Sequence, residues 1–298
     1  MTRNVAGSYP LRVIDLDPSR PSTPPRDAAT LILLRNADTA PFEVFLVKRH
    51  AKSGFMASAY VFPGGKLDAA DAADAVTQRT RGRTIVEAAA ALAEPDDPRR
   101  ATALYVAAIR ETFEEAGVLL ADVDAGADLG AARAELTAGA PFADVLARLD
   151  AFLRLDLLIP HTRWVTPVVE PRRFDARFFV ALAPVGQAAS HDDHETTDGI
   201  WLAPAAALAE AASGAIQLPP PTLRTLENLA LQSSSADVVR EAALRSPPYI
   251  DPLFRQEGEQ IMLVLPGDPA HETRAAAIAG PTRFLLEGGR WWSRPGTR

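Results

Sequence analysis

The chain has 298 residues, 47% of them apolar, and carries 31 Lys and Arg against 38 Asp and Glu for a net charge of −7. That balance offers no basic stripe for a phosphate backbone, which argues against nucleic acid as a partner. The absence of cysteine excludes disulfides, thiolate metal sites and thiol nucleophiles, and no run approaches the roughly 18 apolar residues of a membrane span.

The first ten residues lack the apolar core of a secretion signal, and Pro295–Arg298 is not a peroxisomal address, so a cytoplasmic location without a membrane partner is expected. Residues 1–27, rich in Pro, Ser and Arg from 17 onward, read as an arm. Strands are expected over 28–34 and 43–49, joined as a hairpin by the polar turn 36–41. A short aromatic strand over 58–62 ends at Pro63-Gly64-Gly65, a strong breaker. The Ala-, Asp- and Arg-rich stretch 69–100 holds a helix over 84–93, and a second helix covers 101–116.

Residues 131–155 read as helical with an interruption at Gly139-Ala140-Pro141. Strands over 164–170 and 177–182 flank the turn Pro171-Arg172-Arg173-Phe174-Asp175. A short strand over 200–202 precedes a helix that Pro204 opens and that runs to about 213, and another helix covers 222–232. Segments 260–265 and 282–292 read as two more strands. Strands and helices mixed in this order imply an α/β layered domain over 28–235, with an extension over 236–298 packed on it.

Within the helix at 101–116, Glu111, Glu114 and Glu115 fall within an arc of about 100°, opposite Val106, Ile109, Phe113 and Ala116. The helix is therefore expected to bury one face and turn three carboxylates outward from the other. Like charges at such spacings cost a few tenths of a kcal/mol per pair, and a hard divalent cation with oxygen ligands would neutralise them. An ordinary solvated face has the same spacing. Arg110 before the carboxylates, Gly117 after them and Pro63-Gly64-Gly65 upstream favour the metal site.

Taken together, Phe62-Pro63-Gly64-Gly65-Lys66-Leu67-Asp68 and Arg110-Glu111-Thr112-Phe113-Glu114-Glu115-Ala116-Gly117-Val118 resemble the two halves of the Nudix box. That box reads Gly-x5-Glu-x7-Arg-Glu-U-x-Glu-Glu-x-Gly-U, with U bulky and aliphatic. Gly65 matches its leading glycine, Asp71 stands where the first Glu would fall, and Thr112 occupies the first U. Between Asp71 and Arg110 lie 38 residues instead of seven, an insertion of about 31 placed near 72–103. A box split in this way resembles the coenzyme A diphosphatase-like branch of the Nudix hydrolases. Similarity extends to Arg163–Pro167, Pro171–Phe179 and Leu218–Arg224, and so covers roughly 28–232.

The resemblance implies a Nudix-type α/β/α sandwich with a mixed sheet, an insertion inside the box and a C-terminal extension. It implies Mg²⁺-dependent hydrolysis, with Mn²⁺ as a substitute, of a diphosphate bond in a nucleoside diphosphate linked to another moiety. Coenzyme A or an acyl-CoA is the best match, giving 3′,5′-ADP and (acyl) phosphopantetheine. ADP-ribose, nucleotide sugars and dinucleotides are alternatives, as is a nucleotide sensor without catalysis, and a homodimer is left open. Glu111, Glu114 and Glu115 would hold metal, with Glu115 the surest ligand. Arg110 would orient a carboxylate of the box, and Gly64 and Gly65 would form the tight loop at the substrate. Glu195, six residues before Trp201, is expected as a further metal-binding or general-base carboxylate, with Asp198 as the alternative.

Arg49, Lys52, Arg172, Arg173 and Arg177 are candidates for gripping phosphates, where guanidinium forks match oxygen pairs. Trp164, Phe174, Phe178 and Phe179 read as core before base-stacking residues. His191 and His194 beside Asp192 and Asp193 read as a solvated loop, since no regular spacing supports a zinc site. The insertion reads equally as a lid or as an excursion.

Overall fold

The computed structural model describes residues 23–50, 58–190 and 196–296. Strands β1 (Arg26–Arg35) and β2 (Glu43–Arg49) pair antiparallel only at their near ends, Leu34 with Val44 and Arg35 with Glu43. Further along, each takes a different partner from the chain that follows. Strand β3 (Tyr60–Val61) adds to β2, and β4 (Gly64–Lys66) adds to β1. The Pro63-Gly64-Gly65 breaker thus stands as a wedge in the split between two strands. Gly64 has no alternative there, because a Cβ would meet the backbone oxygen of Ala29 at 2.4 Å and Cα of Thr30 at 2.7 Å.

A 3-10 turn over Ala69–Ala72 leads into the insertion, which holds α1 (Asp74–Thr77), β5 (Thr80–Arg81) and α2 (Ile85–Ala91). Thr84 and Glu87 form a reciprocal capping box that starts α2. Helix α3 (Pro98–Ala116) begins three residues before the expected start, because Asp97 accepts from the Arg100 N–H and Pro98 suits the first helical position. The insertion is anchored to the domain. Its Val76, Ala88, Ala89 and Leu92 are buried in the same core as α3. Its Glu94 receives both ends of the Arg177 guanidinium at 2.8 and 2.7 Å.

Strand β6 (Ala121–Asp122) precedes α4 (Leu129–Thr137), α5 (Phe142–Arg148) and β7 (Phe152–Arg154). The helical reading of 131–155 is thereby corrected at its end: 152–154 leaves the helix and pairs with both β5 and β6 in a small sheet. The expected strand at 164–170 is shifted. Strand β8 (Ile159–Val165) starts earlier, and Pro160 is tolerated in it beside a bulge between Pro160 and Thr162. With β9 (Phe174–Leu182), β10 (Thr196–Leu202) and β11 (Tyr249–Ile250), it completes a mixed sheet in the order β10-β2-β1-β9-β8-β11.

Helices α6 (Pro204–Ser213), α7 (Pro220–Leu229) and α8 (Ser235–Ala243) follow β10. α8 was not expected, although Ser234 gives the usual N-cap signal and accepts from the Asp237 N–H. Strands β12 (Leu253–Glu257), β13 (Gln260–Val264), β14 (Arg283–Glu287) and β15 (Arg290–Arg294) form a separate antiparallel sheet. The single strand expected over 282–292 is in fact a hairpin turned at Gly288 and Gly289, both at positive φ (56° and 74°).

The main sheet carries a core on each face. One joins Ala29, Leu31, Leu33, Phe45 and Val47 to α3, α4 and α5. The other joins Ile32, Leu34, Val44 and Leu46 to α7, α8 and the second sheet. This alternation is what period-two strands buried on both faces require. Among the described residues no helix is long and apolar enough to cross a membrane.

Candidate active site

The acidic helix does not present its carboxylates to solvent as expected. Every residue of α3 from Ala101 to Ala116 is buried except Glu114, which is half-buried, and Glu111 and Glu115 are only 7% and 8% exposed. The sheet covers one side of the helix, and the wedge loop covers the side that carries the acids. Oε2 of Glu115 accepts from the Gly64 N–H at 2.9 Å. The Glu111 carboxyl lies where a Cβ on Gly65 would be, 2.5 Å from its carbon and both oxygens. The adjacent glycines therefore receive, respectively, the acids one helical turn apart.

Arg110 satisfies this buried negative charge. Its Nε and Nη2 donate to the two oxygens of Asp71 at 2.7 and 2.9 Å, and Nη1 reaches Glu111 Oε1 at 2.9 Å and Glu114 Oε2 at 3.3 Å. Nη2 also donates to the carbonyl of Lys66 at 3.2 Å, so one guanidinium links the loop, the 3-10 turn and the helix. Burial works against the Arg110 charge, but Asp71, Glu111 and Glu114 outweigh it and hold the guanidinium above its ordinary value. Asp71, one methylene shorter than the Glu of the box, is held in place as the Asp68 N–H donates to its Oδ2 at 2.9 Å. Thr112, at an aliphatic position, is fully buried because its hydroxyl donates back to Ala108 O at 2.7 Å.

The other candidates separate. Arg49 ends β2 in register with Phe45 and Val47, on the α3 side of the sheet, beside Thr196 at the start of β10. Lys52 and Glu195 lie outside the described residues, as do His191 and His194. Asp198, the alternative to Glu195, accepts from Tyr60 Oη at 2.6 Å. Tyr60 belongs to the core on the face opposite α3, so the sheet stands between Asp198 and the acidic cluster.

Arg172 is exposed in the turn before β9. Arg173 donates from Nε to Thr166 O at 3.0 Å and from Nη1 to Thr23 O at 2.8 Å, which fastens that turn. Arg177 is not a phosphate residue. Only 1% exposed, it lies among Asp27, Glu94 and Asp175, with Arg100 and Arg163 completing an ion network that bolts the insertion to the sheet. Burial opposes ionisation of Asp27, yet Arg100 and Arg177 hold its carboxyl below the ordinary range.

Glu111 and Glu115 supply hard oxygen donors, which suit a hard divalent cation. Among the described residues, no three His, Asp or Glu side chains form a complete cage. Two carboxylates with waters and phosphate oxygens to complete the shell would suffice for a small octahedral ion.

The family model of the NUDT19 Nudix domain matches residues 25–229. The chain is 29% identical to the acyl-coenzyme A diphosphatase NUDT19 of Xenopus laevis over 78% of its own length and 72% of that protein's. It is 27% identical to the human protein of the same name, over 76% and 72% of the two lengths. A solved Nudix hydrolase from Alicyclobacillus acidocaldarius superposes with a TM-score of 0.62 at 28% identity, covering 76% of this chain and 98% of that one.

Proposed function

Since this chain belongs to the Nudix hydrolases, and to the group defined by the NUDT19 Nudix domain, we propose that it cleaves the diphosphate bond of coenzyme A or an acyl-CoA. It is a Nudix pyrophosphohydrolase, an enzyme class that generally uses a divalent metal; Mg²⁺, with Mn²⁺ as substitute, is the ion proposed here. The products would be 3′,5′-ADP and (acyl) phosphopantetheine. The observation that carries this reading is the meeting of Glu111 and Glu115 with the Gly64-Gly65 loop across a 45-residue gap in sequence.

Glu111 and Glu115 would hold the metal, with Glu114 beside them. When bound, the ion supplies charge neutralisation at non-bridging phosphate oxygens and acidifies a bound water. Arg110 keeps the carboxylates aimed, because its guanidinium is held in place by Asp71. The absence of side chains at Gly64 and Gly65 lets the loop backbone close onto β1 and onto the Glu111 carboxyl. Arg49, on the same face, and Lys52 would bind the substrate phosphates, with Arg172 and Arg173 as outlying contributors. Glu195, which precedes Thr196 in the sequence, is the proposed general base.

The test is a panel of coenzyme A, an acyl-CoA, ADP-ribose and a dinucleoside polyphosphate with Mg²⁺ or Mn²⁺, products resolved by mass. Release of 3′,5′-ADP from the CoA compounds, stopped by chelation and restored by metal, is expected. Faster cleavage of ADP-ribose would overturn the substrate, and no cleavage of any member would leave a sensor.

A further inference from the structure

We infer that Arg133, on α4 and outside both halves of the box, is a positioning residue for the last turn of α3. The inference rests on the metal-site reading of Glu111 and Glu115 above. An α-helix leaves its final carbonyls without intrahelical donors. Here Gly117, in the left-handed region at φ 70°, caps α3 by donating to Phe113 O at 3.0 Å. The next three carbonyls belong to Glu114, Glu115 and Ala116. Arg133 Nε donates to Glu114 O at 2.9 Å and Nη2 to Glu115 O at 2.8 Å, while the Ser190 N–H donates to Ala116 O at 2.9 Å.

The same guanidinium reaches onward. Nη2 donates to Ser190 O at 2.9 Å and Nη1 to Ser190 Oγ at 3.0 Å. Nearby, the Gln187 side chain pairs with both backbone groups of Leu119, at 2.8 and 3.0 Å. The chain leaving β9 is thus clamped to the end of α3 at two points. Gly117 contributes by absence: a Cβ there would come within 3.0 Å of Arg133 Nη1. A cation at a helix C-terminus also opposes the negative end of the macrodipole.

Arg133 therefore holds the backbone of Glu115, whose side chain meets the loop and would ligate the metal, and of its neighbour Glu114. A planar fork can serve two successive carbonyls at once; a lysine ammonium cannot do so in the same geometry. Without it the last turn can fray, and a carboxylate displaced by about 1 Å loses much of its value.

The test compares Arg133→Gln and Arg133→Lys with Asp128→Ala in the full chain. Asp128 caps the start of α4 by accepting from the Ala131 N–H at 2.9 Å, so its loss loosens the same helix without touching α3. The readouts are Mn²⁺ affinity by calorimetry without substrate, and amide hydrogen exchange over residues 112–120 without metal. Arg133→Gln should bind Mn²⁺ about tenfold more weakly and exchange faster over that segment, with Arg133→Lys in between. Asp128→Ala should melt lower yet match the wild type in both readouts.

Wild-type Mn²⁺ affinity and exchange in the Arg133 variants would overturn the inference, as would equal losses in Asp128→Ala. Should Arg133→Gln not fold, Arg133→Lys carries the same comparison. Glu115→Gln, run alongside, separates the two levels. If it leaves Mn²⁺ affinity unchanged, the metal-site reading itself falls. If it weakens Mn²⁺ binding while the Arg133 variants do not, only the role of Arg133 falls.

Discussion

Adding one methyl group to each of two neighbouring glycines should produce two different failures. On Gly65 the new Cβ meets the Glu111 carboxyl at 2.5 Å, and ordinary contact begins near 3.4 Å. The carboxylate must therefore retreat by about 0.9 Å, a displacement of the size that costs about 100-fold in rate, or about 2.7 kcal/mol of barrier. The obstacle is the end of a side chain, so the fold itself has little to lose. On Gly64 the Cβ meets Ala29 O at 2.4 Å and Thr30 Cα at 2.7 Å, both backbone. There β4 must leave β1, and overpacking of this kind costs about 1–3 kcal/mol or more of stability. Steady-state kcat/KM with Mg²⁺ and urea unfolding, measured on Gly65→Ala and Gly64→Ala, check both halves. Wild-type turnover in a folded Gly65→Ala would refute the placement of Glu111 at the reacting centre.

Glu115→Gln keeps an acceptor for the Gly64 N–H but removes the charge, so kcat should fall by about 10³ with the urea midpoint nearly unchanged. Arg177→Met leaves Glu94, Asp27 and Asp175 without their buried partner, at a cost of about 3–5 kcal/mol and a melting point lower by about 10 °C. Its kcat at 25 °C should barely move; a large rise in KM instead would return Arg177 to the phosphate site. His161 on β8 is buried, which, with nearby Arg245, pushes its pKa down to about 3. The fold thus favours the neutral ring, and its contribution is complete above the unfolded value of about 6.5 and is lost as pH falls from there toward 3. Between pH 8 and pH 5 this group alone should remove about 2 kcal/mol of unfolding free energy, and His161→Gln should flatten that part of the profile in urea titrations at each pH.

The position of the acidic helix was legible because Glu111, Glu114, Glu115 and Gly117 are close in sequence, and helical geometry turns their spacing into a face. The direction of that face was misjudged. Outward carboxylates are the ordinary outcome for a surface helix, and only the arrival of residues 62–66 between β1 and β2 buries them. Arg177 misled for the complementary reason: an arginine in a strand looks like a surface cation until Asp27 and Glu94, 150 and 83 residues away, are brought against it. Arg133 gave no signal at all, since its work is done on backbone carbonyls, which carry no residue code.

The sequence by itself determined the local pieces: the breaker at Pro63-Gly64-Gly65, the carboxylates at helical spacing, the caps and the alternation of the strands. Each follows from backbone sterics and side-chain periodicity within a few residues. Only the tertiary structure decided that one side of the insertion joins the core, that Asp71 lies under Arg110, and that Asp198 faces away from the acids. These depend on contacts across 39 to 138 residues, whose free energy comes from burying charge and apolar surface together. No local pattern encodes that sum.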